Sequence, residues 1–228
     1  MSKGKVVRTL VLIAIFLGTT ILLGNTGSCW ARPQGIAGKK PLPAIQKTDY
    51  VRIDEYIPSL IIEPVYYTDK NFTGQKLYDI PDVYLRKGTA DKLKAVAEEV
   101  SAKGYQLKIW DAYRPPKAQL KMWRAFPNPN YVANPYRKPS DHSKGCAVDL
   151  TLTDSSGKEL EMPSPFDEFS PRADRDYRDL NPVKGANATY LENVMKRHGF
   201  TAIRTEWWHF SDSEKEIYSV TEVVPVPE

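Results

Sequence analysis

Cysteine is nearly absent from this sequence. Of the two in 228 residues, Cys29 follows an apolar N-terminal stretch and Cys146 stands alone, so a chain trimmed near residue 31 has no internal disulfide to rely on. Histidine is almost as scarce, with three copies. The H-E-x-x-H pattern is missing, which excludes the common helical arrangement of zinc-protease ligands. Long apolar runs are missing too: the single candidate, Leu10 to Leu23, is interrupted by Gly18, Thr19 and Thr20 and falls short of the about 20 residues that a membrane-spanning helix needs. Nor does one sign of charge dominate. The formal charge of +4 includes Lys3, Lys5 and Arg8, and what remains after residue 31 carries +1. A chain so close to neutral has no electrostatic footprint for nucleic acid.

What is present begins with an export pattern. Lys3, Lys5 and Arg8 precede the apolar run as in a secretory signal, and cleavage is expected after Ser28 or Ala31. Residues 1–31 are therefore read as a secretion signal, and the protein as exported, periplasmic or extracellular, with no stable membrane insertion after the signal is removed. Lipidation at Cys29 is the alternative, although Thr26-Gly27-Ser28 lacks the leucine usual before a lipidated cysteine. Residues 32–47, rich in Pro, Gly and Lys, read as a flexible leader. Residues 48–228 are long enough for one domain with a full core.

Within that domain, Tyr50 to Tyr67 mixes β-branched and aromatic residues with two prolines, which predicts short strands rather than a helix. Thr89 is placed as the N-cap of a helix to about Lys103, with Leu93, Val96, Ala97 and Val100 at helical spacing and Gly104 as its stop. Tyr105, Leu107 and Ile109 alternate as in a half-buried strand that ends at Pro115-Pro116, and "KAQLKMWRAF" turns helical again. After Gly145 a second strand alternates, with Asp149 on its less apolar face and Cys146, a small buried thiol, pointing the other way. Pro163 to Asn187 reads as a long loop covering a site. A further helix carries Leu191, Val194, Met195 and His198, and "FTAIRTEWWHF" closes the domain as a strand.

His198, in a last helical turn, suits capping or packing. His142 and His209 differ, because each has carboxylates near it in sequence. A catalytic zinc needs three ligands drawn from His, Asp, Glu or Cys, an open position for water, and a base to take that water's proton. His142, Asp149 and His209 meet the ligand count, with Glu206 as the base. The competing reading is that E-x-x-H and H-x6-D are ordinary surface or capping residues. Residues three apart lie on opposite faces of a straight strand, so Glu206 and His209 can converge only if a bulge or twist intervenes. Gly145 is expected to supply the tight fold that brings His142 towards Asp149.

"YYTDKNFTG", "IWDAYRPPKA", "SDHSKGCAVDLTL", "PFDEF" and "TEWWHF" occur in an order that resembles the zinc-dependent D-alanyl-D-alanine dipeptidases, across nearly the whole chain after the leader. The resemblance implies an α+β fold of the D,D-peptidase and hedgehog type, with helices on a mainly antiparallel sheet. It implies one Zn2+ per chain on His142, Asp149 and His209, Glu206 as general base, and D-Ala-D-Ala or a related small peptide as substrate. It adds Arg114 as the group facing the developing oxyanion, Asp167 for the substrate ammonium and Ser140 for its carboxylate end. The rivals it leaves are a D,D-carboxypeptidase or endopeptidase acting on wall peptides and a non-catalytic zinc-binding module.

Overall fold

The computed structural model describes residues 45–179 and 181–221. The expected secretion signal, the leader up to residue 44 and the last part of the tail lie outside the described residues. Among the described residues four α-helices and seven strands follow in the order β1 (Tyr50–Arg52), α1 (Ile53–Tyr56), β2 (Ile61–Ile62), β3 (Tyr84–Arg86), α2 (Lys87–Ser101), β4 (Gln106–Asp111), α3 (Pro116–Ala125), β5 (Ala147–Thr153), α4 (Pro182–Arg197), β6 (Phe200–Ala202) and β7 (His209–Asp212). No helix among the described residues is long and apolar enough to cross a membrane.

β1 and β3 form a two-stranded ribbon, and the main sheet runs β2-β4-β5-β7-β6. Only β2 lies parallel to its neighbour, and the other three pairings are antiparallel. The apolar stripes of α2 (Leu93, Val96, Val100) and α4 (Leu191, Val194, Met195) share one core with Leu107 and Ile109 of β4 and Val148, Leu150 and Leu152 of β5. This is the expected α+β arrangement, each element burying its apolar stripe or face in one core. β5 is buried at all seven positions rather than on one face: Val148, Leu150 and Leu152 lie in the core with the helices, and Asp149 and Thr151 on the other face are covered as well. Its alternation therefore separates two buried faces, one against the helices and one carrying Asp149.

Register then does what sequence spacing alone cannot. Asp149 pairs directly with His209 across β5 and β7, so the two side chains stand on the same face as nearest cross-strand neighbours. A register shift between Ile109 and Asp111 sets Asp111 opposite Asp149 as well, the re-aiming that a bulge produces.

Several boundaries differ from the sequence reading. Thr89 is not a cap: α2 starts at Lys87, and Thr89 is buried in its first turn with its hydroxyl on Asp212 at 2.8 Å. The amides of Lys87 and Gly88 are taken by the carbonyls of Asp49 and Lys47, so the helix start needs no side-chain cap. The covering loop ends earlier than Asn187, because Asn181 caps α4 through the amide of Val183 and Pro182 occupies the first helical position, a pairing that opens helices. Tyr50 to Tyr67 contains a helical turn, α1, closed by the amide of Ile57 on the carbonyl of Ile53, which buries both isoleucines. "FTAIRTEWWHF" is two short strands joined by a turn rather than one strand.

Gly145 has φ +75°, and a Cβ there would lie 2.4 Å from the ring of Tyr50. That ring is held between Tyr113, 5.1 Å between centroids, and the guanidinium of Arg86 at 4.1 Å. Gly145→Ala is therefore expected to destabilise the fold by at least about 1 kcal/mol through its left-handed backbone alone, with the clash added. Denaturant unfolding checks this, and an unchanged midpoint would contradict it.

Candidate functional site

The turn of residues 140–146, strand β5 and the start of β7 meet at one point. His142 Nε2 lies 3.1 Å from His209 Nδ1 and 3.3 Å from an Asp149 carboxylate oxygen, and the other Asp149 oxygen is 3.0 Å from His209 Nδ1. All three residues are buried, at 3%, 3% and 8% exposure. A tetrahedral cation with bonds of about 2.0–2.1 Å sets its ligand atoms about 3.3 Å apart, close to the spacing found. His142 makes the case for a cation concrete. Its Nδ1 is 2.7 Å from the carbonyl of Ala112, which can only accept, so Nδ1 carries the hydrogen and the lone pair of Nε2 faces a carboxylate. Such crowding of electron-pair donors is relieved by a proton or a cation between them, and the donor set of two imidazoles and one carboxylate suits a catalytic zinc.

The electrostatics follow the same geometry. Burial works against a charged His142, but Asp149 and Asp111 together outweigh it and the net shift is upward. Burial also disfavours the charged form of His209, and Asp149 only partly offsets this, leaving its pKa lowered. For Asp149, burial would raise the pKa, yet the two imidazoles hold it well below the usual carboxylate range.

Glu206 and His209 reach one cavity through a turn, not through a bulged strand: the amide of His209 approaches the carbonyl of Glu206 at 3.4 Å. Arg175 fixes that turn. Its Nη2 donates to the carbonyls of Glu206 (3.0 Å) and His209 (2.9 Å), its Nε to the carbonyl of Ile203 (2.7 Å) and its Nη1 to Glu192 (3.0 Å), while the guanidinium lies over the ring of Phe210. The Glu206 side chain lines the cavity beside the three donors. Burial first, then Asp149 and Asp167, push its pKa well above the ordinary glutamate value. A carboxylate so placed accepts a proton readily.

Arg114 follows β4 and lines the same cavity. Nε and Nη2 grip one oxygen of Asp111 at 3.0 and 2.6 Å, and Nη1 donates to Gln119 at 2.9 Å. The second Asp111 oxygen accepts from Tyr78 at 2.6 Å and from the amide of Ala112 at 2.9 Å. The pair is buried, and Asp111 fixes the guanidinium in place. Burial opposes the charge of Arg114, and Asp111 together with Tyr78, Tyr66 and Asp149 outweighs it, raising its pKa.

Asp167 is the one non-glycine residue with positive φ among those described, at 59°, and left-handed backbone at a non-glycine residue gathers at functional sites. Its carboxylate is half-buried and accepts from the Tyr66 hydroxyl at 2.9 and 3.0 Å. Burial pushes its pKa up to about 8, with the Tyr66 bond acting against the rise and Asp149 adding to it. Between roughly pH 4 and 8 the folded chain therefore holds this proton more tightly than the unfolded chain, so stability is highest below that window and falls through it. Asp167→Asn removes the fall and suits positive φ. The metal-free variant is expected to unfold at a higher temperature than its parent at pH 8 and at the same temperature near pH 4; a lower midpoint at pH 8 would overturn this. Ser140, also buried, accepts from the amide of His142 at 3.3 Å and lines the cavity, whose volume is about 190 Å³. Sites for drug-sized ligands run to about 300–1,000 Å³, so this one suits a smaller molecule.

The D-ala-D-ala dipeptidase family model matches residues 46–225. The chain belongs to that dipeptidase family. Among its curated relatives, the D-alanyl-D-alanine dipeptidase of Escherichia coli (strain K12) is 38% identical over 166 residues, covering 72% of this chain and 84% of that protein. The D-alanyl-D-alanine dipeptidase of Enterococcus faecalis (strain ATCC 700802 / V583) is 28% identical over 181 residues, covering 71% of this chain and 90% of that protein. A solved vancomycin resistance D,D-pentapeptidase in complex with Zn(II) aligns with a TM-score of 0.37 and 16% identity over 59% of this chain and 75% of that one, a likeness too slight to speak for the site.

In this member of the dipeptidase family the structure brings all seven residues singled out from the sequence to the wall of one cavity. His198, by contrast, ends α4 and pairs with Glu99 at 2.7 Å. Cys146 is a fully buried free thiol. Tyr66, Asp111, Gln119 and Arg175 were missed as site residues. Asp111 and Tyr66 fall inside the quoted motifs and carried that signal unread; nothing in the sequence marks Arg175 or Gln119.

Proposed function

We propose that the chain is a zinc metallopeptidase that hydrolyses D-alanyl-D-alanine. The observation that carries this reading is the close approach of the His142, Asp149 and His209 donor atoms beside a buried Glu206 and a buried, doubly clamped Arg114. One Zn2+ per chain, held by those three residues, supplies when bound a Lewis acid that polarises a carbonyl and brings the pKa of a water towards about 7. Glu206 accepts the proton of the attacking water and passes it to the departing amine. Arg114, held still by Asp111 and Gln119, faces the oxygen on which charge develops, so its contribution grows in the transition state. The peptide's two ends need opposite partners. Asp167 takes the ammonium, its burial making an unpaired carboxylate costly and a paired one favourable. Ser140 donates its hydroxyl to the carboxylate end, its oxygen already engaged by the His142 amide.

A carboxylate in the cavity wall that pairs with a free amine favours a dipeptide over a chain that continues past that nitrogen, as carboxypeptidase or endopeptidase action on wall peptides would require. Comparing D-Ala-D-Ala with N-acetyl-D-Ala-D-Ala tests this. Loss of a charge-assisted bond worth about 1.5–3 kcal/mol is expected to lower kcat/KM for the acylated peptide at least about tenfold, and faster cleavage of the acylated peptide would overturn the dipeptide reading. A non-catalytic zinc module would have no use for the Glu206 and Arg114 side chains in the cavity wall.

The export signal of residues 1–31, cleaved after Ser28 or Ala31, places this activity in the periplasm or outside the cell, in turnover or scavenging of wall-derived dipeptide. The peptidase domain begins near residue 48, after a leader of residues 32–47. Asp49 is joined to the domain through its carbonyl, which receives the amide of Lys87, and Lys47, the last leader residue, already gives its carbonyl to Gly88.

A further inference from the structure

We propose that Ser211 and Asp141 are positioning residues for His209, selecting the imidazole tautomer that can bind a cation. The proposal rests on the reading of His142, Asp149 and His209 as the cation site. His209 Nε2, the nitrogen turned away from the cavity centre, lies 3.1 Å from Ser211 Oγ. Ser211 Oγ donates to Asp141 Oδ2 at 2.9 Å, and the same carboxylate oxygen accepts from Lys215 Nζ at 2.8 Å. The order of donors fixes the protons. A carboxylate facing a lysine ammonium remains an acceptor, so the Ser211 hydrogen goes to Asp141 and its oxygen is left to accept from His209. Nε2 then carries the imidazole hydrogen, and Nδ1 presents its lone pair to the point shared with His142 and Asp149.

The other neutral tautomer is also accommodated. With the hydrogen on Nδ1, His209 donates to Asp149 at 3.0 Å, which removes one ligand and occupies another. The chain of Ser211, Asp141 and Lys215 tips this balance, because in the competing tautomer Ser211 Oγ loses its donor and its hydrogen is drawn both to Nε2 and to Asp141. The two histidines thus reach the same state through different partners: His142 through a backbone carbonyl, which no side-chain change removes, and His209 through a hydroxyl that a single substitution deletes. Ser211 is 1% exposed, so water does not readily replace the hydroxyl. Asp141 also precedes His142 in the chain, which ties the placing of both imidazoles to one turn. Outer partners of metal-bound histidines are generally worth about 10–100-fold in metal affinity.

The test is the zinc dissociation constant of the full chain, measured by competition with a chromogenic chelator, for the parent and for Ser211→Ala, Ser211→Thr and Asp141→Asn. Ser211→Ala and Asp141→Asn are expected to bind zinc about 10–100-fold more weakly, whereas Ser211→Thr, which keeps the hydroxyl, binds close to the parent. A purely space-filling role for Ser211 would reverse that order, since threonine overfills the site and alanine does not. Parent-like affinity in both Ser211→Ala and Asp141→Asn would overturn the proposal while leaving the peptidase reading intact. A parent chain that binds no zinc would overturn the reading beneath it.

Discussion

Glu206→Gln lowers kcat for D-Ala-D-Ala about 10²–10⁴-fold, the range associated with loss of a positioned acid–base group, and leaves the zinc content of the protein unchanged. The amide keeps the size of the side chain but has no lone pair basic enough to take a proton from water. Because burial and the charges of Asp149 and Asp167 already oppose ionisation of Glu206, an uncharged replacement removes an unfavourable electrostatic contribution, and the variant is expected to be at least as stable as its parent. Activity lost while stability is held or gained is the signature of a group kept for chemistry rather than for folding. Retention of parent-like kcat, measured on zinc-loaded protein, would remove Glu206 from the mechanism.

The second large effect is that of Arg114→Ala, which is expected to lose both rate and stability. In rate, removing one donor aimed at a developing oxyanion costs about 10²–10³-fold in kcat. In stability, the variant strands Asp111, which is fully buried in its side chain and would keep only Tyr78 and the amide of Ala112 as close donors. Breaking a buried ion pair from one side costs about 3–5 kcal/mol. The double variant Arg114→Ala, Asp111→Asn separates the two effects: stability recovers in large part, because the stranded charge is gone, and activity does not. Arg114→Lys keeps the charge but cannot hold Asp111 through two nitrogens and Gln119 through a third, so its kcat is expected to lie between those of parent and alanine variant. If the alanine variant unfolded at the parent's midpoint, or if removing Asp111 restored catalysis, the clamp described here would be wrong.

The contrast between the His142–Asp149 pair and Arg175 shows what the sequence carries and what it does not. Spacing around Gly145, the scarcity of histidine and the alternation in β5 were enough to nominate His142, Asp149 and His209, because ligand chemistry restricts the residue types and period-two alternation restricts the face. What places Asp149 opposite His209 is the antiparallel register of β5 with β7, a pairing between segments far apart in the chain that no local pattern encodes. The turn from Arg204 to Trp208 was read as strand, since tryptophan and phenylalanine favour strands; its conformation is instead fixed by Arg175 from a distant loop. Thr89 is not the cap of α2 for a related reason. Capping rules assume that the first amides of a helix look to their own side chains, and here the carbonyls of Lys47 and Asp49 receive them. Local chemistry was legible, then, and long-range hydrogen bonds were not.

Zinc content and D-Ala-D-Ala hydrolysis, followed in one sample while a chelator strips the protein and zinc is then returned, give the most direct test of the site. One equivalent of zinc per chain and the hydrolytic rate are expected to fall together and to return together. Full hydrolysis by a chain shown to be free of metal would contradict the account.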